Sequence, residues 1–95
     1  MIDRREEVLR RAAIAQALLE NEVLIDAFTE VQDAYEAAWR DSKPSDSEGR
    51  EEAYRMLAAL RTVKARILTN IENGLFERRK AEAEAADRAI NGIPG

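Results

Sequence analysis

Two runs of apolar residues, each advancing in steps of four and three, decide most of what this chain can become. Leu24, Phe28, Val31, Tyr35 and Ala38 advance by 4, 3, 4 and 3, with Ile25 and Trp39 flanking the same stripe. Met56, Leu60, Val63, Ile67 and Ile71 repeat the pattern downstream, widened by Leu57 and Leu68. At about 100° per residue, such positions gather within about a third of a helix circumference, so each run reads as an amphipathic helix. Opposite the first stripe stand Glu22, Asp26, Glu30, Asp33 and Glu36, giving that helix one apolar, aromatic face and one carboxylate face.

The segment between the runs, Asp41-Ser42-Lys43-Pro44-Ser45-Asp46-Ser47, is a loop. The residue before a proline is pushed out of the α region, and Ser and Asp favour turns and caps. Ser45 with Glu48 has capping-box spacing, and Asp46 and Ser47 are equally good caps, so the next helix starts there. Asn73-Gly74 reads as its C-terminal stop. A short polar loop between two amphipathic helices of similar length makes an antiparallel hairpin. The arms differ in charge: residues 20–41 hold seven acids and one base, whereas residues 53–71 hold Arg55, Arg61, Lys64 and Arg66 and no acid. Exposed pairs contribute only about 0 to 1 kcal/mol each, so this asymmetry sets pairing and register more than stability.

Helices are expected outside the hairpin as well. Val8, Ala12, Ala15 and Leu19 recur at helical spacing with Ile14 and Leu18 alongside. Asn21 is a good N-cap between two apolar stretches. Either the chain breaks or bends there, or residues 3–41 form one rod roughly 55 to 60 Å long at about 1.5 Å per residue. Leu75 to Ile90, rich in Ala, Glu and Arg, forms a final helix with little to bury, followed by a breaker at residues 91–95. The organisation expected is thus a helical unit over residues 1–74 and a helix with a short tail over residues 75–95. The fold class is all-α: an antiparallel helical hairpin with additional N- and C-terminal helices. Its bundle is completed either within the chain or by oligomerisation, because one hairpin cannot hide Phe28, Tyr35, Trp39, Tyr54 and Phe76.

Composition removes most chemistry. The 95 residues include no Cys and no His. No disulfide, thiolate or imidazole metal site, nucleophilic thiol or His-based triad can therefore be built. No Gly-rich phosphate loop or catalytic spacing is present, and neither an enzyme nor a cofactor is expected. Charge interrupts every apolar stretch well short of the about 20 residues of a membrane span. The charged N-terminal segment, Met1 to Arg11, resembles neither a secretory signal nor a transit peptide, which places the expected location in the cytoplasm. The net charge of −4 argues against a protein that mainly coats phosphates.

The remaining candidates are surfaces. The row Asp26, Glu30, Asp33 and Glu36 reads as a solvated face, with docking of a basic partner as the functional alternative; a metal is not expected, since carboxylate di-metal bundles need inward-facing Glu with a His partner. Arg55, Arg61 and Arg66 are the candidate nucleic-acid contacts, but they do not form one track around the helix. Lys64 falls inside the apolar stripe, where its stem can snorkel, and Arg78-Arg79-Lys80 is too short for a basic patch. Core and interface are assigned to Leu24, Phe28, Val31, Tyr35, Trp39, Leu57, Leu60, Val63, Ile67 and Ile71.

Several stretches resemble small helical proteins encoded in the structural modules of tailed bacteriophages and prophages. They are Ala13-Ile14-Ala15-Gln16-Ala17-Leu18-Leu19-Glu20-Asn21, Ala27-Phe28, Ala38-Trp39-Arg40-Asp41-Ser42-Lys43-Pro44 with Asp46, Gly49-Arg50-Glu51-Glu52-Ala53-Tyr54 and Ile71-Glu72-Asn73-Gly74. The likeness spans residues 10–75. In that pattern a proline follows the position of Asn21; Glu22 stands there here. The resemblance implies a non-enzymatic part in virion assembly or genome packaging, in the host cytoplasm or within the virion. The implied partners are the chain itself or a larger phage structural or packaging protein. The alternatives are a nucleic-acid-associated packaging factor resembling a terminase small subunit, and an acidic inhibitor that mimics nucleic acid.

Overall fold

A computed structural model describes residues 3–92; the reading of Met1 and Ile2, and the breaker over residues 93–95, lie outside the described residues. The chain is all-α, with α1 Arg4–Leu19, α2 Glu22–Arg40 and α3 Ser47–Asn91. Each helix begins on a side-chain cap of the kind its sequence offers. The Asp3 carboxylate accepts from Glu6 N at 2.8 Å, the Asn21 side chain from Leu24 N at 3.0 Å, and the Asp46 carboxylate from Gly49 N at 2.9 Å. Asn21 therefore does interrupt the N-terminal arm. The helix stops at Leu19, Asn21 takes extended dihedrals, and α2 restarts at Glu22 without the help of a proline. At the other end of α2, the Arg50 guanidinium donates to the Lys43 and Pro44 carbonyls at 2.6 and 3.1 Å, which ties the loop to the first turn of α3.

The largest departure from the sequence reading is at Asn73-Gly74. The helix does not stop there but runs unbroken for 45 residues, about 67 Å at about 1.5 Å per residue, so the expected separate C-terminal helix is the second half of α3. Gly74 is not a cap. It is buried, and a Cβ built on it would collide with Cβ of Ala12. The glycine thus serves a close approach of two helices, at a cost in intrinsic helix propensity of about 1 kcal/mol relative to Ala.

α1 and α2 lie end to end along α3, antiparallel to it, and scarcely touch each other. Arg5 reaches Glu77 and Glu84, Ala12 meets Gly74, and Gln32 meets Lys64. The first helix therefore does not fold back to complete a bundle within the chain; it extends the arm that α2 begins. The result is a rod, 77 × 24 × 24 Å, with a radius of gyration of 21.2 Å against about 13 Å for a compact domain of this size.

Along α3 the seam follows Ala53, Leu57, Leu60, Lys64, Ile67, Ile71 and Gly74, alternating steps of four and three, each buried or half-buried. This heptad spacing is that of an antiparallel coiled coil. It is one position out of the register read from the sequence near the loop. Leu57 and Lys64 take the seam, while Met56 and Val63 are left on its flank, exposed. The reason is Lys64: its Nζ donates to Gln32 Oε1 at 3.0 Å and lies 5.5 Å from the centre of the Phe28 ring, so its stem fills the seam and its head stays paired.

Candidate functional site

The only side chains buried outright in the core are Ala12, Ala15 and Ala53, while thirteen large apolar residues are exposed, among the described residues. A two-stranded rod hides one stripe of each helix and nothing else, so its accessible surface, 7665 Å², exceeds the roughly 5,500 Å² typical of a compact monomer of its mass by roughly 2,000 Å². Large apolar side chains displayed beside one another over several helical turns mark interaction sites.

The ten residues assigned to core and interface divide accordingly. Leu24, Phe28, Tyr35, Leu57, Leu60, Ile67 and Ile71 are half-buried along the seam. Val31, Val63 and Trp39 are exposed, Val63 and Trp39 to 48% and 53%. Beside the seam run two apolar flanks, at the positions that charged residues usually occupy in a coiled coil. One carries Met56 and Val63 of α3, seven residues apart. Its helical phase is shared by Val31 of α2 and by Leu18 and Ile14 of α1, which line a shallow concavity with Ile67 and Asn70. The other carries Tyr54, Leu68 and Leu75, again at intervals of seven, but Arg61 interrupts the row and Gln32, Glu36 and Arg78 border it. Ile14, Leu18, Tyr54 and Leu75 were not among the sequence candidates. The signal was the seven-residue interval for Tyr54 and Leu75 and the four-residue step for Ile14 and Leu18, each readable as a flank only once the seam is known.

Two concavities sit on these flanks. Where α1 gives way to α2, Leu18, Leu19, Leu24, Ile25, Phe28 and Leu68 line an apolar hollow of about 190 Å³ that the break at Asn21 leaves unfilled. At the loop end, Trp39 and the 62% exposed Tyr54 stand around an open depression with Arg50, Glu51 and Arg55. It joins two aromatic side chains to two arginines, residue types enriched at protein interfaces, with Glu51 beside them.

The charged candidates are all at the surface. Asp26, Glu30, Asp33 and Glu36 are exposed on α2, with Glu36 accepting from Gln32 Nε2 at 3.1 Å. No group of three or more acidic side chains converges on a cation position among the described residues. Arg55, Arg61 and Arg66 are exposed on α3 and do not converge; Arg55 and Arg66 point away from the seam and Arg61 lies on its flank. The charge asymmetry between the arms does not resolve into ion pairs between α2 and α3 among the described residues. The cross-arm ion pairs lie in the other half, where Arg5 Nε meets Glu77 at 3.1 Å and both terminal nitrogens grip Glu84 at 3.0 Å. Hydrogen bonding to Glu84 raises the Arg5 pKa, and the same contact holds Glu84 below its ordinary value. Glu7, hydrogen-bonded first by Arg10 and then by Arg11, falls to about 2.

No helix among the described residues is long and apolar enough to cross a membrane. Comparison of the chain with models of known families, with curated proteins and with solved structures finds no match.

Proposed function

We propose that this protein is a non-enzymatic interaction protein of a tailed-bacteriophage or prophage structural module. It acts in virion assembly or genome packaging through helix-mediated contacts with itself or with a larger structural or packaging protein, in the host cytoplasm or within the particle. The observation that carries the reading is the ratio of hidden to displayed apolar surface. The rod buries three alanines outright and displays two flanks of large apolar side chains. A chain that needed only to fold would place charge on those flanks. The phage setting comes from the resemblance of residues 10–75 described above, and the absence of His and Cys favours a non-enzymatic role.

The test is genetic and structural. Deletion of the gene from the phage or prophage that carries it should reduce the yield of complete, DNA-filled particles. Val63→Lys and Leu68→Lys, which alter exposed positions, should do the same while leaving helix content unchanged. Normal particle yield in the deletion strain would refute the proposal.

A further inference from the structure

The seam of α3 is apolar or small at every step except Lys64. A lysine there breaks the coiled-coil pattern, and chains break such rules chiefly at functional or strained sites. Its half-buried ammonium carries three donors. Among the described residues it finds one acceptor, the neutral Gln32 Oε1 at 3.0 Å, together with the Phe28 ring at 5.5 Å, and no carboxylate.

Lys64 also joins two hollows. The apolar one, about 190 Å³, lies between Leu18 and Leu19 of α1, Ile25 and Phe28 of α2 and Leu68 of α3, with Lys64 in its wall. The second, about 240 Å³, is bounded by Gln32, Glu36, Leu57, Leu60, Arg61 and again Lys64. α3 contributes Leu57, Arg61, Lys64 and Leu68 in steps of four, three and four, and α2 contributes Ile25, Thr29, Gln32 and Glu36 in the same steps. Both hollows therefore open on one side of the rod and form one groove. The acid lining it, Glu36, accepts from Gln32 Nε2 at 3.1 Å, and neither Arg61 nor Lys64 is in an ion pair among the described residues. The groove thus offers an apolar seat and, about 6 to 10 Å along α3 from Leu68, two cations without acid partners.

Size, backbone and charge together identify the occupant. An apolar hollow of about 190 Å³ is below the roughly 300 to 1,000 Å³ of sites for free ligands and close to the roughly 150 Å³ that encloses a benzene ring, so it seats one leucine- or phenylalanine-sized group. Walls made of helices have no free main-chain groups to offer, so a partner segment must satisfy its own backbone, as a helix does. Carboxylates on that helix complement Arg61 and Lys64, whereas basic side chains would meet like charge.

We infer that this groove takes an acidic amphipathic helix of a partner protein, with one large apolar side chain in the hollow and carboxylates one to two turns along at Lys64 and Arg61. The inference rests on the reading of the chain as an interaction protein and gives the chemistry of its partner.

Two alanine-based helical peptides serve as probes. Each carries one phenylalanine with either glutamates or glutamines four and seven residues to both sides of it, so that either direction of docking is served. Titrated into the isotopically labelled full chain, the glutamate peptide should shift the amides of Leu18, Ile25, Lys64 and Leu68 and bind about 10-fold more tightly than the glutamine peptide. Lys64→Met should leave the rod as stable or more so, since an apolar side chain suits a seam position, yet remove most of that preference. Arg61→Gln, at an exposed site, should weaken the glutamate peptide by about 3-fold without touching the seam. No shift at millimolar glutamate peptide, equal binding of the two peptides, or a preference indifferent to both substitutions would overturn the inference. Hydrocinnamate binding as tightly as the glutamate peptide would overturn the helix in favour of a free carboxylate. Self-association of the chain that Leu68→Lys abolishes would overturn it in favour of a second copy. Particle yield reduced by Leu68→Lys with no peptide bound would overturn the acidic helix and leave the assembly reading standing. Peptide binding as described, in a protein whose deletion leaves particle yield normal, would uphold the inference while that reading fell.

Discussion

The two halves of the rod hold together by different means although one helix runs through both. In the half built by α1, the helices approach closely through Ala12, Ala15 and Gly74, and Arg5 clamps the outside by its pairs with Glu77 and Glu84. In the half built by α2, Phe28, Tyr35, Leu57 and Leu60 hold the helices further apart, Ala53 alone is fully buried, and the cross-arm polar contact is the neutral Gln32 with Lys64. Close approach through small residues gives dense contact and sharp register but little apolar area, whereas large side chains give area that two helices cannot fully enclose. The contrast explains why the α2 half displays an acidic, amphipathic helix with apolar flanks, while α1 is barely amphipathic and still docks.

The sharpest way to break this contrast is at Gly74. Gly74→Leu should force α1 off α3 and cost about 2 to 3 kcal/mol in urea unfolding, whereas the same enlargement at an exposed helical site would stabilise through propensity. Gly74→Ala should be destabilising too, and Ala12→Gly added to it should restore part of the loss; a stabilising Gly74→Ala would show that the close approach is absent. In the other half Leu60→Ala should cost about 2 kcal/mol, at the low end for apolar truncation because the side chain is only half-buried. Asn21→Ala, which removes the cap between the halves, should cost about 1 kcal/mol and lower amide protection at Glu22 to Leu24 first.

The smallest expected effect is that of pH, and it should be confined to the α1 half. Glu7 and Glu84 have folded pKa values depressed below their unfolded ones, so their contribution is complete above the unfolded carboxylate range and disappears as pH falls through the folded values, from about 4.5 towards about 2 for Glu7. With no His, the urea midpoint should stay flat between about pH 6 and 8. Arg5→Gln should shrink the acid loss attributable to Glu84, whereas Asp26→Ser with Asp33→Ser should leave the melting temperature unchanged. A large change in the Asp variant would place that face against protein rather than solvent.

The sequence carried the helical class, the loop at Pro44 and the amphipathic face of α2, because each is local: a period, a proline, a cap. What it did not carry depends on a partner far along the chain. Asn73-Gly74 has the local chemistry of a helix stop, and only Ala12, more than sixty residues away, turns the glycine into a contact. Met56–Val63 and Leu57–Lys64 are both heptad pairs, and the seam took the second because Lys64 finds Gln32 and Phe28 there. Asn21 was legible as a cap but not as a break, since a cap residue inside a helix and one at its start look alike until the turn before it is seen to end.

Because α3 spans both halves without interruption, the distance between the loop at Pro44 and the far tip of the rod is set by covalent geometry and hydrogen bonding rather than by a hinge. The aromatic surface at Trp39 and Tyr54 and the Arg5–Glu84 clamp are thereby held at a fixed separation along the rod. Removing whole turns from α3, with the matching turns of the arm packed on it, would shorten that separation by about 5.4 Å each time.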